Sequence, residues 1–365
     1  MRSLAITVLA VLGLSLLTAI GAQAHPSWGI VVDRQGQVYF SDLKTIWKID
    51  AQGRAVALRT SDNHVHDLNI DETGNLYGAE NSYEPSTKRF FSAIWKMTPA
   101  GDFSYLLAPT DDPPEGTSIW KDRDGNMYHV GYYPERELLI LRRTPGGEVT
   151  VLAGSSNAAR EYRQGVPYSV GGIAFGTDGA LYFTHGASAS KLAMTGALTQ
   201  LARNLVIEKD SGNKSGAGSQ TQLFGIAVDA QGNAFIADYG NRRVLKVTPE
   251  GQTTTLLRAE ENWFPTGVAM KGSELYILEI GQRSPYEPIG TRVRKLSPDG
   301  KVTVLATVGA NGKAASAPSS SDEDSSGQGS ERKAESRRLL YLVLGAVTAV
   351  FALTIIVWRV RRPSA

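Results

Sequence analysis

The chain has 365 residues, with 38 Lys and Arg against 36 Asp and Glu and a formal net charge of +2. A balance this even lacks the concentrated positive charge that nucleic-acid binding needs, so no nucleic-acid partner is expected. There is no cysteine, which excludes a disulfide framework and a lipid-modified cysteine.

Arg2 is followed by an apolar stretch from Leu4 to Ile20 and by Ala22-Gln23-Ala24. A basic start, a hydrophobic run and a small-x-small site predict a secretory signal peptide over residues 1–24, with His25 as the mature start.

Residues 25–309 form the predicted folded domain, and from Gly29 onward they repeat. GIVVDRQGQVYFSD from Gly29 returns as DLNIDETGNLYGAE from Asp67, SIWKDRDGNMYHVG from Ser118, GIAFGTDGALYFTH from Gly172 and GIAVDAQGNAFIAD from Gly225. A shorter copy, GVAMKGSELYILE, starts at Gly267. Each copy is an apolar strand, a tight turn with Gly, and a second strand with an aromatic residue: Tyr39, Tyr77, Tyr128, Tyr182, Phe235 and Tyr276. A second half-unit follows each, as in IWKMTPAGDFSYL from Ile94 and VLKVTPEGQTTTL from Val244. In Thr-Pro-x-Gly, Pro presets φ at the first corner and Gly tolerates the positive φ that returns the chain. Four short antiparallel strands per unit predict an all-β fold, a six-bladed β-propeller of four-stranded blades. The first strand of each unit is apolar at consecutive positions, as expected of an innermost strand buried on both faces. With four residues before Gly29, His25 to Trp28, too few for an exchanged strand, the ring is expected to close by packing blade 1 against blade 6.

The links between the first and second strands, and between the third and fourth, are short Gly turns. The long links run over 81–93, 131–137, 154–170, 203–223 and 280–291. In an up-and-down blade these all lie on one face, the expected binding face.

IADYGNRRVLKVTPEG over residues 236–251 resembles the NHL-repeat family. The whole of 29–309 is similar to the wider six-bladed group that includes SMP-30/gluconolactonase and strictosidine-synthase-like proteins. The resemblance implies the propeller; the activities in that group range from lactonases and a lyase to plain binding modules. In the SMP-30 group, carboxylates and amides near the inner-strand starts hold a divalent metal. The corresponding positions here are Trp28, His66, Thr117, Gly171, Phe224 and Thr266, which supply no such oxygen set. The three zinc-binding histidines of the amidating-lyase branch are answered only by His66, so neither ligand set carries over.

A second ring lies three residues after each blade aromatic: Asp42, Glu80, Gly131, His185, Asp238 and Glu279. Two readings stand open. These residues either converge on a cation, or they fasten loop backbone and lock neighbouring blades. No cofactor is assigned; a divalent metal would draw on His66, Glu80, His185, Asp238 and Glu279. Tyr83, Tyr133 and Tyr286 sit in Pro-stiffened long links and form the expected rim for a protein, peptide or glycan ligand. No nucleophile elbow, P-loop, HExxH or dinucleotide fingerprint occurs.

Residues 310–338 are rich in Ser, Gly and charge without apolar periodicity, and are expected to be a disordered linker. Leu339 to Trp358 carries no charged residue, and at about 1.5 Å per residue it matches the roughly 30 Å core of a bilayer. It is the predicted C-terminal transmembrane helix, followed by a basic tail, 359–365. The expectation is a single-pass cell-membrane protein, propeller outside and tail in the cytoplasm, acting as a ligand- or protein-binding module. The alternative is a metal-dependent, lactonase-like hydrolase or a lyase acting on a small extracellular substrate.

Overall fold

The computed structural model describes residues 26–132, 137–154, 168–205, 223–284 and 287–316. All of these fall in the first of two units into which the chain divides, 1–317. The predicted signal, most of the linker, and the apolar segment 339–358 lie outside the described residues. Among the described residues no helix is long and apolar enough to cross a membrane.

The recurring turn explains the recurring sequence. Asp71 closes the turn to Gly74 by accepting from its N–H, and its side chain accepts from the Asn75 backbone and side-chain amides. The Tyr77 hydroxyl then donates to the same carboxylate at 2.9 Å. Asp122, Asn126 and Tyr128 repeat the arrangement, as do Asp33, Gln37 and Tyr39. These hydrogen bonds hold Asp71 well below the usual carboxylate range, while burial first, then the carboxylate, pushes Tyr77 up to about 12. Gly36, Gly74, Gly125 and Gly232 all take φ near +80° (85, 84, 82 and 81°), a conformation in which a Cβ is strained. In the first three repeats the tyrosine of the aromatic column is thus a clamp on its own turn.

The strands form five antiparallel sheets of seven, four, four, four and five strands among the described residues. The seven-stranded sheet exists because Ala55–Ile70 runs unbroken from the outer position of the first repeat into the inner position of the second. A link was expected there; instead the His64-Val65-His66 segment lies within the strand. In the third repeat the expected inner strand is reduced to a bridge between Lys121 and Met127. The Ser118 hydroxyl bonds the Tyr128 and Trp120 carbonyls and accepts from the Trp120 amide, a local alternative that competes with the ladder. Two expected loops are extended hairpins. Leu76–Glu84 pairs with Arg89–Met97 as far as Glu84 opposite Arg89, and Glu274–Ser284 pairs with Glu287–Leu296 as far as Ser284 opposite Glu287.

The core lies between successive repeats. Ile46 packs with Val65, Leu68 and Trp95 across repeats 1 and 2, and Ile140 with Ile173 and Phe183 across 3 and 4. Tyr182 meets Ile236 and Leu245, and Ala237 meets Ile277. Phe40 and Trp47 of the first repeat join Leu278, Val293 and Val308 of the sixth, closing the ring. Val302–Gly309 pairs with Glu287–Leu296 of its own repeat, so no strand is exchanged at the closure. Residues 310–316, placed in the linker by sequence, add a turn and a fifth strand, Ala314–Ser316, on that sheet. The result is a propeller-like ring around a central cavity.

Candidate functional site

The recurrent acids at the ends of the second strands are fastened inside the fold. Glu279 is fully buried between Arg292, at 2.5 Å, and Arg294. Asp238, also fully buried, meets the Arg243 Nε at 2.7 Å and the Asn241 amide. Burial raises its carboxyl above the usual range against these partners. Glu80 pairs with Arg59 from the outer strand of the preceding repeat and accepts from Asn63. Asp42 accepts from the Trp47 indole at 2.7 Å and from the Thr45 amide. His185 shares a 2.9 Å hydrogen bond with the Ser190 hydroxyl, and burial lowers its pKa. Gly131 lies opposite Ser169 in the ladder. Among the described residues no group of three His, Asp or Glu side chains is arranged to hold a metal. No three of His66, Glu80, His185, Asp238 and Glu279 form such a group.

Tyr83 sits on the extended hairpin of the second repeat, half exposed, with its ring 4.8 Å from that of the exposed Phe90. Tyr133 and Tyr286 lie outside the described residues.

Residues from all six repeats line a central cavity of about 720 Å³, with Trp28, Asp67, Lys121, Phe175, Ile226 and Met270 each contributed by a different repeat. It extends to the Asp71 and Asp122 turns on the short-turn face, where no binding was expected from sequence. Toward the other face stands a row of aromatic side chains. Trp28 stacks on Phe224 at 5.6 Å, Phe224 meets Tyr239 at 5.4 Å, and Tyr239 meets Phe264 at 5.1 Å. The His66 ring lies 5.3 Å from Trp28. Trp28, His66, Tyr239 and Phe264 are all partly exposed.

Asp67 is the buried carboxylate of the cavity wall. It accepts from the Trp28 indole at 2.8 Å and from the Leu68 amide at 2.8 Å. Burial pushes its pKa up to about 7, against the pull of those two donors. The column it occupies reads Gly29, Asp67, Ser118, Gly172, Gly225 and Gly267. The glycines are needed where neighbouring inner strands touch: a Cβ on Gly225 would lie 2.8 Å from the Gly267 Cα.

Asp67 makes stability depend on pH. Its folded-state value lies above the ordinary one of about 3.9. Between about pH 4 and 7 the folded chain holds a proton that the unfolded chain has released, so stability falls as pH rises through that window and is level above it. Asp67→Asn lacks this loss. Its advantage over the parent is expected to grow by about 2 kcal/mol from about pH 5 to about pH 8, a value that allows for water entering the cavity. Urea denaturation at each pH measures it; a constant difference means that the carboxyl is solvated.

Trp28, Phe224, Tyr239, Phe264 and Asp67 were not singled out as a binding site from sequence. The signal was present: Trp28 and Phe224 occupy the inner-strand starts that were read only for metal ligands, and Asp67 breaks the small-residue column.

No protein-family model matches the chain, and no curated protein matches it. Among solved structures it is similar to virginiamycin B lyase from Staphylococcus aureus, 16% identical over 78% of this chain and 85% of that one, TM-score 0.42. A streptogramin B lyase is 18% identical over 82% and 92%, TM-score 0.43. A gluconolactonase from Xanthomonas campestris is 14% identical over 69% and 83%, TM-score 0.44. Identities this low carry no residue role across.

Proposed function

We propose that residues 25–309 are a six-bladed β-propeller, the seven-stranded sheet counting as two blades, that works as a binding module at the outer face of a cell membrane. In this reading 1–24 direct export, 317–338 tether the domain, 339–358 span the bilayer and 359–365 face the cytoplasm. The ligand, a small molecule or an exposed group of a peptide or glycan, enters the central cavity past the aromatic row.

The observation that supports binding is Trp28, which lines a cavity of ligand size, donates to Asp67 in its wall and begins that aromatic row. Pockets of roughly 300–1,000 Å³ are the usual size of small-molecule sites, and this one carries charged as well as aliphatic side chains. The repeat acids, in contrast, are occupied by arginine, indole or backbone partners and serve the scaffold.

The test is a thermal-shift screen of the full chain in detergent against panels of small organic molecules, peptides and glycans, run in parallel on Trp28→Ala. Ligands that stabilise the parent are expected to lose their effect in the variant, because binding energy appears directly as folded-state stability. Ligands that shift both proteins equally would overturn the assignment to the cavity.

A further inference from the structure

Five described carboxylates of this ring are buried, and one of them, Asp33, is held by the Gln37 amides and the Tyr39 hydroxyl of its own turn. Glu80, Asp238 and Glu279 each carry an arginine. Asp67 has only the Trp28 indole and its neighbour's amide, and no lysine or arginine among the described residues pairs with it. A desolvated carboxylate without a counter-charge is costly, and a ligand that brings a positive charge recovers that cost. The choice of side chain sharpens the point. At this column the other repeats carry Gly or Ser, and Asp67 places an acid in the cavity wall where the ring needs no side chain at all.

The surroundings narrow the chemistry of the cation. A metal ion takes several hard oxygen ligands; the cavity wall carries Asp67 together with the aliphatic Ile30, Leu68, Ile226, Ala227 and Val268, and Asp71, Glu72 and Asp122 at the turns, and among the described residues no three acids or histidines are grouped to hold a metal. Aromatic faces attract organic cations through the ring quadrupole, Trp most strongly. Trp28 donates to Asp67 and also begins the row continued by Phe224, Tyr239 and Phe264. The carboxylate and the aromatic groups thus meet at one residue.

We propose that the cavity takes a small organic ammonium ion, its charged head against Asp67 and the Trp28 indole and its apolar body along the aliphatic inner strands. This rests on the binding reading above and specifies its ligand class. Lys121 and Arg123, both on the cavity wall, belong to the third repeat nearer the short-turn face and leave the head of the cavity to the acid.

The experiment compares choline with its neutral carbon isostere, 3,3-dimethylbutan-1-ol, by isothermal titration calorimetry on the full chain in detergent. Choline is expected to bind saturably and at least about tenfold more tightly than the isostere. Asp67→Asn is expected to weaken choline about tenfold and leave the isostere unchanged. The Asn side chain can still accept from the Trp28 indole, and burial already favours a neutral group there. Equal binding of the two probes by the parent, no binding of either, or choline binding unaltered in Asp67→Asn overturns the proposal. The comparison on the parent decides the matter even where a variant fails to fold. A neutral ligand found by the thermal-shift screen and lost in Trp28→Ala would leave the binding reading standing while overturning this one.

Discussion

Glu279→Ala is expected to lower the unfolding free energy by about 4 kcal/mol, the usual cost of stranding a buried charge. Glu279 is the shared partner of Arg292 and Arg294, whose side chains are 7% and 4% exposed. Without it, the remaining acid near them is Glu260, which is 64% exposed and too well screened by water to balance two buried guanidinium groups. Arg294 Nε already has no hydrogen-bond partner among the described residues, so little reserve exists. Denaturant unfolding measures the loss, and Glu279→Gln, which keeps one acceptor, should fall between. A Glu279→Ala protein as stable as the parent would mean that the acid does not lock the sheet and is free for another task.

Gly267→Ala is expected to cost about 3 kcal/mol, at the upper end of overpacking effects. A Cβ at 267 would run into the carbonyl oxygen of Trp28 and lie 2.9 Å from the Ile30 Cγ2. Both atoms belong to the first repeat, so the substitution wedges the closure of the ring open. Gly146→Ala is the control: its Cβ would meet only the Thr144 hydroxyl, at 3.8 Å, and its effect should be within about 0.5 kcal/mol of zero. Equal effects at the two positions would show that repeats 1 and 6 are not pressed together there.

The parts of the fold that follow from local backbone chemistry were readable in the sequence. Asp-x-x-Gly with an aromatic two strand positions on is a complete instruction, since the turn, its clamp and the strand that follows involve residues within six positions of Asp71 or Asp122. The continuity of Ala55–Ile70 was not readable, because it depends on two sheets sharing one strand. The role of the acids needed the hairpin register. Asp238 faces Arg243 directly and Glu279 faces Arg292. Glu80 faces Ala93 and instead recruits Arg59 from the neighbouring repeat, a partner no spacing rule identifies. Asp67 was visible as a departure from a column of small residues. Its meaning came only with the finding that the column lies where inner strands touch, beside a tryptophan 39 positions earlier in the chain.

In the binding proposal the acids of the repeat fasten the scaffold, and the ligand belongs to the head of the cavity beside Trp28. Metal analysis of the purified full chain after dialysis tests it most directly. Less than about 0.1 equivalent of any divalent metal is expected, because a site of several convergent ligands is required to retain one. A stoichiometric metal that is lost in both His66→Ala and His185→Ala, with the fold intact, would contradict it and favour a metal-dependent hydrolase or lyase.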